Sequence, residues 1–309
     1  MLNNDLLIIL GPTASGKTKL AVNLANELGA EIISADSRQI FKGMDIGTGK
    51  DLDEYLINSN QIPFHLIDIK DAGEKYNVNL FKEDFYKSLQ SIRENHSLPI
   101  LCGGTGMYIH SILQNHELTA VPIDETLRAE LVRHSKDILV HQLSSYPENL
   151  RKNVDYSSSK RLIRAIEIAE YFKKNDFIIL DRPIINPFVI GLKSEVEIRR
   201  KKILDRLETR LNTGLIEEVE GLIANGIGID ILNFYGLEYK FIAAYLTNQI
   251  DLQTLKERLG TAICQYAKRQ MTFFRKMEKD GVKINWLNAN DEFLKDNALQ
   301  LIKNNFQLK

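Results

Sequence analysis

The chain has 309 residues, of which 44% are hydrophobic and 26% charged, and this is enough for one sizeable α/β domain and a smaller second one. Its composition excludes a disordered polypeptide. Forty basic residues stand against 41 acidic ones, so the formal net charge of -1 gives no whole-chain argument for nucleic-acid binding. Any such binding has to come from local basic clusters.

The cysteines and the N-terminus bear on the cellular compartment. Cys102 and Cys264 are far apart and lack metal-site spacing, so they are predicted to be reduced thiols of a cytosolic protein, without a zinc site. Residues 1–5 lack the basic segment that opens a secretory signal. No apolar run approaches the roughly 20 residues that a membrane span needs. We therefore expect a cytoplasmic protein without a membrane partner.

The most informative stretch follows the apolar run from Leu6 to Leu10 and precedes a helix-like segment from Lys19 to Leu28. It reads Gly11-Pro12-Thr13-Ala14-Ser15-Gly16-Lys17-Thr18. The pattern G-x-x-x-x-G-K-T between a strand and a helix is typical of a P-loop. Its N–H groups, the helix N-terminus and Lys17 supply positive charge to a phosphate chain, and Thr18 is expected to place its hydroxyl on magnesium. An ordinary glycine turn would not need the Lys-Thr pair.

A P-loop does not by itself specify the reaction. The same cradle serves nucleotide hydrolysis, phosphoryl transfer and any reaction in which diphosphate is the leaving group, because each needs the same charges neutralised. The choice among them depends on the rest of the chain.

Asp36 follows a second predicted strand, residues 31–34. Ligands collect at the carboxyl edge of an open parallel sheet, so Asp36 is expected to point into the crevice that holds the phosphates. A carboxylate that caps the next turn would explain the same pattern. Gly43, Gly47 and Gly49 then mark a loop that either closes over a substrate or is a plain surface loop.

Two further strands are predicted at residues 64–68 and 99–102. His65 and Asp68 suggest catalysis, but a lone histidine beside a strand is more often a satisfied hydrogen-bonding residue. The second strand ends in a glycine-rich turn, Gly103-Gly104-Thr105-Gly106. Thr105 would offer a hydroxyl to a phosphate or a base there, although a tight turn alone would also favour these glycines.

From about residue 115 to residue 181 the β character fades, and short helices are predicted at 124–134, 138–144 and 159–173. Arg161 and Arg164 lie three residues apart, within reach of one anion, or else form a solvated basic face. A strand at 188–192 returns the chain to the sheet. Helices at 195–211, 215–224, 238–246 and 252–279 and a final strand at 283–287 follow.

The sequence thus predicts an α/β fold with a P-loop NTPase-like parallel sheet flanked by helices and a helical insertion domain. Residues 1–114 and 182–309 form the predicted catalytic core, and residues 115–181 the insertion. The long C-terminal helix carries Lys268, Arg269 and Arg275 near Tyr266 and Phe273. Basic residues among aromatics suit a nucleic-acid surface, but aromatics at helical spacing are more often core.

In combination, these motifs resemble the tRNA dimethylallyltransferase family, also called tRNA isopentenyltransferases or IPP transferases. The resemblance covers residues 6 to about 290 and is carried by the P-loop and four further blocks: Ile33-Ser34-Ala35-Asp36-Ser37-Arg38-Gln39 with Lys42-Gly43-Met44-Asp45-Ile46-Gly47-Thr48, Gly103-Gly104-Thr105-Gly106-Met107-Tyr108, Arg161-Leu162-Ile163-Arg164-Ala165-Ile166-Glu167, and Tyr266-Ala267-Lys268-Arg269-Gln270-Met271-Thr272-Phe273-Phe274-Arg275. Each block is moderately specific, and together they are highly specific.

The resemblance implies transfer of a dimethylallyl group from dimethylallyl diphosphate to the N6 amine of the adenosine 3′ of the anticodon, position 37, in tRNAs that read codons beginning with U. Diphosphate is released, so the P-loop would hold a leaving group, with Mg²⁺ as cofactor at Thr18. Asp36 resembles the general base, and Lys17, Thr18 and Thr105 are the other expected catalytic residues. Gly11 to Thr18 would bind the diphosphate, joined by Arg164.

The resemblance also implies partners. The insertion would clasp the anticodon stem-loop of a tRNA, and a monomer is expected. The positions that correspond to tRNA contacts are Asp36, Ser37, Arg38, Gln39, Thr105, Arg128, Lys160, Arg161, Leu162, Ile163 and Arg164.

The chain departs from the family's pattern in its C-terminal half. Ile263-Cys264-Gln265 stands where Thr-Arg-Gln is common, and Gly236-Leu237-Glu238-Tyr239 where Gly-Tyr-x-Glu is expected; the insertion after Tyr171 is also shortened. These departures concern tRNA choice or efficiency and leave the core chemistry intact. The alternatives are an enzyme that prenylates free AMP, ADP or ATP, a P-loop small-molecule kinase, and a P-loop binding module without catalysis.

Overall fold

The computed structural model describes residues 4–152, 154–176 and 180–306. The chain divides into two compact units, one made of Met1–Asn115 with Ile184–Lys309 and the other of His116–Pro183. The sequence placed these divisions after residues 114 and 181. Residues 1–3, 153, 177–179 and 307–309, which the predicted domains included, lie outside the described residues.

The core of the first unit is a parallel sheet. The strands of this unit are, in chain order, β1 (Leu6–Leu10), β2 (Ala30–Ser34), β3 (Leu56–Ile57), β4 (Asn60–Gln61), β5 (Phe64–His65), β6 (Leu98–Gly103), β7 (Pro187–Lys193) and β8 (Ile284–Asn288). Strands β3 and β4 form a short antiparallel ribbon that is separate from the parallel sheet. In the described ranges the sheet has six strands in the order β5-β2-β6-β1-β7-β8, and every neighbouring pair is parallel. The predicted fold class is confirmed.

The helices follow in chain order: α1 (Lys17–Leu28), α2 (Val78–Glu94), α3 (Gly106–Leu113), α4 (Glu125–Leu131), α5 (Lys136–Ser144), α6 (Glu148–Arg151), α7 (Ser159–Lys174), α8 (Val196–Asn212), α9 (Leu215–Ala224), α10 (Ile229–Tyr235), α11 (Leu237–Leu246), α12 (Leu252–Lys279) and α13 (Leu294–Asn305). The sequence prediction missed α3, α6, α10 and α13. None of the helices in the described ranges has the length and apolar composition needed to cross a bilayer.

Both faces of the sheet are covered, and β1 shows this most clearly. Its five side chains are fully buried. Leu6, Ile8 and Leu10 join the hydrophobic cluster that includes α2, α3, α8 and α12, whereas Leu7 and Ile9 join the cluster that includes α1 and α13. This is the continuous apolar pattern of a parallel strand buried on both sides. The loops after β1, β2 and β6 therefore emerge at one edge of the sheet.

The strand predicted at residues 64–68 is shorter than expected. Backbone φ angles of 62° at Leu66 and 55° at Asp68 are left-handed, so β5 ends at His65. The His65 ring contacts a Glu31 carboxylate oxygen at 2.8 Å, and Asp68 pairs with the ammonium group of Lys50. The interpretation of His65 as a hydrogen-bonding residue is confirmed.

The glycine-containing loop at residues 43–50 is anchored rather than free to act as a lid. The Glu218 carboxylate accepts hydrogen bonds from the backbone N–H groups of Asp45, Ile46 and Gly47 at 2.7, 2.6 and 3.0 Å. The hydroxyl of Tyr239 also donates to Glu218, at 2.7 Å. Lys50 is fully buried and donates to the Phe41 carbonyl at 2.7 Å. These bonds fix the loop.

The second unit is helical and has its own core. Leu131 of α4, Leu139 and Leu143 of α5 and Leu162 and Ile166 of α7 are all fully buried in one cluster. The prediction of short helices in this region is confirmed.

Replacing Glu218 tests the anchoring of the loop. We expect Glu218→Ala to lower the free energy of unfolding by about 3 kcal/mol, because three N–H donors and a tyrosine hydroxyl lose a charged acceptor. Chemical denaturation measures this. Glu220→Ala, at an exposed position of the same helix, should change stability by no more than about 0.5 kcal/mol. Equal effects of the two substitutions would contradict the anchoring role.

Candidate active site

The P-loop has the backbone geometry of an anion cradle. Ala14 and Gly16 have left-handed φ angles of 60° and 77°, and the Ser15 N–H donates to the Pro12 carbonyl at 3.3 Å. Helix α1 begins at Lys17, directly after this turn, and the N–H groups of its first turn have no intrahelical acceptor. Among the described residues, the buried Ser15 hydroxyl has no hydrogen-bond partner. A phosphate oxygen would satisfy these donors.

The first two P-loop residues serve packing. Gly11 and Pro12 are buried behind the loop. A Cβ atom at Gly11 would lie 2.6 Å from the Ser15 hydroxyl oxygen and 3.2 Å from Leu192 Cβ, so a larger residue would displace the loop. Gly11 and Pro12 therefore shape the loop, and their part in binding diphosphate stays a prediction.

Asp36 and Thr105 are brought together at the same sheet edge. The Asp36 carboxylate accepts a hydrogen bond from the Arg38 N–H at 3.0 Å. The Ser37 N–H donates to the Thr105 hydroxyl oxygen at 3.1 Å, and the Thr105 N–H donates to the Ala35 carbonyl at 3.2 Å. The turns after β2 and β6 are thus joined. Asp36 does form a local turn bond, and it also lines the cavity described next.

A cavity of about 540 Å³ lies over this edge. It is lined by Thr13 to Thr18 of the P-loop, by Asp36 to Gln39, and by residues from distant parts of the chain that include Asp51, Glu54, Arg206, Arg210, Phe234, Glu238, Tyr266, Arg269 and Gln270. The P-loop and the predicted base therefore share one cavity, as expected for Asp36. Gln39 uses its amide within the protein, accepting from the Ser34 hydroxyl and donating to the Gly49 carbonyl, both at 2.9 Å.

The cavity concentrates positive charge beside the P-loop. Burial lowers the pKa of Lys17, and the Asp36 carboxylate acts in the opposite direction. Burial and the neighbouring Arg210 lower the pKa of Arg206 to about 10. Both shifts mean that burial disfavours the charged forms of these side chains. An anion bound between them would reverse this effect.

Arg206 and Arg210 were missed in the sequence. Arg206 donates to the hydroxyl of Thr13, and an Nη atom of Arg210 lies 3.4 Å from a carboxylate oxygen of Asp51. A signal was present in α8, where the two arginines are four residues apart and each directly precedes a buried leucine, Leu207 or Leu211. A cation at that position on an amphipathic helix lies at the border of the core.

Gln270 joins two glycine-rich turns. Its side-chain oxygen accepts from the Thr13 N–H and its amide nitrogen donates to the Gly104 carbonyl, both at 2.9 Å. A Cβ atom at Gly104 would lie 2.4 Å from that nitrogen, so the close approach requires glycine there. The sequence identified Gln270 only as part of a block. Its role depends on contacts more than 150 residues away in the chain.

The arginines of the second unit are bonded to protein groups. Arg128 donates to the buried Glu167 carboxylate at 2.6 Å. Arg164 donates to the carbonyls of Leu118, Val121 and Pro122 at 3.2, 2.6 and 3.3 Å, and Arg161 pairs with Asp155. Arg161 and Arg164 thus bind different acceptors within the protein, and the shared anion that their spacing allows stays a prediction.

Of the residues of α7 predicted to contact RNA, some are exposed and others are buried. Lys160 and Arg161 are exposed. Leu162 and Ile163 have exposed fractions of 0% and 5% and pack in the hydrophobic core of the unit. Their assignment to the RNA surface is corrected, because buried side chains are not available to a ligand.

The cavity offers suitable oxygen ligands for a magnesium ion. The described residues contain no group of three His, Cys, Asp or Glu side chains placed to hold a metal. Magnesium at phosphate sites, however, usually takes only one or two protein oxygens and completes its shell with phosphate oxygens and water. The Thr18 hydroxyl, on the cavity wall beside the P-loop cradle, fits that role.

The strand order around β1, the loop that follows it and the cavity at the sheet edge define a P-loop α/β protein. The family model described as IPP transferase matches residues 39–277. The chain belongs to the IPP transferase family.

The similarity to known proteins extends over nearly the whole chain. It is 51% identical over 284 residues to tRNA dimethylallyltransferase 1 of Porphyromonas gingivalis, covering 92% of this chain and 94% of that one. It is 50% identical to tRNA dimethylallyltransferase 2 of Bacteroides fragilis, covering 92% and 93%. The crystal structure of a full-length tRNA isopentenylpyrophosphate transferase from Bacillus halodurans has a TM-score of 0.70 at 31% identity, covering 97% of this chain and 95% of that one.

Replacing Gln270 tests its bridging role. Gln270→Met keeps most of the side-chain volume but removes both hydrogen bonds, so we expect affinity for diphosphate to fall about tenfold or more as the P-loop loosens. Calorimetric titration with diphosphate measures this. Gln265→Met, at an exposed position of the same helix, is the control and should leave the affinity unchanged. An unaltered Kd in Gln270→Met would refute the bridge.

The lowered pKa values of Lys17 and Arg206 predict a pH dependence. Diphosphate should bind the form in which both side chains are charged, and the bound anion should raise both pKa values. We therefore expect affinity to fall as pH rises from about 9 to about 11, through the lowered pKa of Arg206, with proton uptake on binding at about pH 10. Titrations in buffers of different ionisation enthalpy measure the uptake. Affinity that stays constant over this range would argue against the assignment.

Proposed function

We propose that this protein is a tRNA dimethylallyltransferase. It transfers the dimethylallyl group of dimethylallyl diphosphate to the N6 amine of adenosine 37, next to the anticodon, in tRNAs that read codons beginning with U. The observation that carries the proposal is that Asp36 and the P-loop lysine, Lys17, line one cavity. We also propose that the enzyme acts as a monomer in the cytoplasm.

The diphosphate end of the donor occupies the P-loop. The N–H groups of the loop and of the first turn of α1, the Ser15 hydroxyl and the charges of Lys17 and Arg206 surround its oxygens. As the bond between the first carbon of the donor and the bridging oxygen breaks, negative charge develops on the departing diphosphate. Donors that are already in place stabilise this charge without reorganising.

The N6 amine of adenine forms the new bond to that carbon, and its proton passes to the Asp36 carboxylate. An aspartate is a weak base, so it accepts the proton chiefly once bonding to carbon has made the nitrogen acidic. The hydrogen bond from the Arg38 N–H to Asp36 orients the carboxylate. Thr105 contributes by holding Ser37, and through it the Asp36 turn.

Magnesium would be held by Thr18 together with diphosphate oxygens. When bound, it would neutralise part of the charge on the leaving group.

Part of the second unit serves RNA binding in this proposal. The exposed Lys160 and Arg161 of α7 are available to the phosphates of an anticodon stem-loop. Arg128 and Arg164 act by holding the unit together through Glu167 and backbone carbonyls. An adenosine in a loop leaves its stack at less cost than one in a duplex, which suits a base that must reach a cavity.

The direct experiment is a labelling assay. Purified protein, magnesium, radiolabelled dimethylallyl diphosphate and an anticodon stem-loop should yield labelled RNA whose modified nucleoside has gained one dimethylallyl group by mass. Label on free AMP, ADP or ATP alone would identify an adenylate prenyltransferase instead. Consumption of ATP with a small acceptor would identify a kinase.

Two substitutions separate the assigned roles. Asp36→Asn should lower kcat by about 10² to 10⁴ while sparing the Kd for diphosphate, because it removes the proton acceptor. Lys17→Ala should lower kcat and also weaken diphosphate binding by about tenfold or more. The controls Asp53→Asn and Lys19→Ala replace exposed residues of the same charge. Equal loss of diphosphate affinity in Asp36→Asn and Lys17→Ala would contradict both assignments.

A further inference from the structure

Phe234 is an exposed aromatic residue on the cavity wall. It lies in α10 between two core positions, Leu232 and Tyr235, whose exposed fractions are 0% and 1%. Phe234 itself is 60% exposed and lines the cavity that holds the P-loop and Asp36. A phenylalanine in that position adds little to the core, since most of its surface remains in water.

Arg38 connects this ring to the reacting centre. The Arg38 guanidinium carbon lies 5.4 Å from the centroid of the Phe234 ring, within the range of a cation–π contact. The backbone N–H of the same arginine holds the Asp36 carboxylate at 3.0 Å. The ring is therefore one arginine side chain away from the proposed base.

A second pair of the same kind lines the cavity. The guanidinium carbon of Arg269 lies 6.0 Å from the Tyr266 ring centroid, and Tyr266 is 37% exposed. Neither Arg38 nor Arg269 has a carboxylate partner among the salt bridges of the described residues. We call these four side chains the arginine-aromatic platform.

We propose that the arginine-aromatic platform is a stacking subsite for the nucleobase next to the reacting adenosine, with Phe234 as its main stacking surface. The proposal rests on the proposed function and adds the part of the RNA that this wall of the cavity binds. The base stacks on the exposed part of the Phe234 ring, and the charges of Arg38 and Arg269 attract the neighbouring phosphates.

The chemistry of the platform favours a nucleobase. Aromatic rings beside unpaired guanidinium groups are the combination that binds single-stranded RNA, because the ring stacks on the base while the cations follow the backbone. The prenyl group of the donor is apolar and uncharged, so it would gain no charge interaction from two arginines. The neighbouring base is favoured over the target adenine because the target amine has to contact Asp36, and the Arg38 side chain separates Asp36 from the ring.

The test compares wild type, Phe234→Ala, Phe234→Trp and Phe234→Leu. Phe234→Ala should weaken binding of an anticodon stem-loop by about 5- to 150-fold, the range found for loss of one base stack. Phe234→Trp should bind the stem-loop about as tightly as wild type does. Phe234→Leu, which keeps apolar volume without an aromatic face, should bind it as weakly as Phe234→Ala does. The Kd for diphosphate and the KM for dimethylallyl diphosphate should stay at wild-type values. Phe293→Ala, which removes a phenylalanine that is 64% exposed at the start of α13, is the matched control and should change none of these.

A double-mutant cycle identifies the stacked base. Two further stem-loops each lack the base on one side of the target adenosine. If the platform stacks on a neighbouring base, the effect of Phe234→Ala falls below about twofold with one of these RNAs, because the contact has already been removed. The proposal is overturned if the full effect persists with both RNAs, if Phe234→Ala leaves RNA affinity unchanged, or if it raises the KM for the prenyl donor instead. Wild-type protein that labels no RNA would instead refute the proposed function, so the two failures are distinguishable.

Discussion

The candidate active site is built around two cations, Lys17 of the P-loop and Arg206 beside it. Burial lowers the pKa values of both side chains, so their charged forms are disfavoured there. For Arg206, whose pKa is lowered to about 10, the unfolded chain holds the proton more tightly than the folded one, so its charge lowers stability at neutral pH. An anionic ligand bound between the two side chains would offset this unfavourable charge.

The surrounding contacts keep this charge in position. Arg206 and Gln270 bind the hydroxyl and the N–H of Thr13, so two helices far apart in the chain fix one residue of the loop. Gln270 also binds Gly104, and Thr105 binds Ser37. The loops after three parallel strands are thereby joined into one rigid edge. Fixed donors of this kind are most effective where charge develops during a reaction.

In the second unit, the burial of each side chain decides whether a ligand can reach it, and a sequence pattern does not report burial. Arg161 and Arg164 lie one helical turn apart, and the sequence allowed either a shared anion or a solvated basic face. The structure gives Arg161 to Asp155 and Arg164 to a set of backbone carbonyls. Leu162 and Ile163 lie between them in sequence but face the core. A run of consecutive helical residues covers all faces of the helix, so a block of sequence cannot be assigned to one surface as a whole.

The sequence alone determined the parallel α/β fold, the P-loop and the position of Asp36, because these depend on local periodicity and on spacing within a few residues. The sequence also placed Asp36 at the same sheet edge as the P-loop, since parallel strands end at one edge, but left open whether its carboxylate faces the crevice or caps a turn. Only the tertiary structure decided that Arg206, Phe234 and Gln270 belong to the same cavity. They come from three different helices, and no local pattern encodes which distant loop a helix face will meet. Packing of the whole chain decides that.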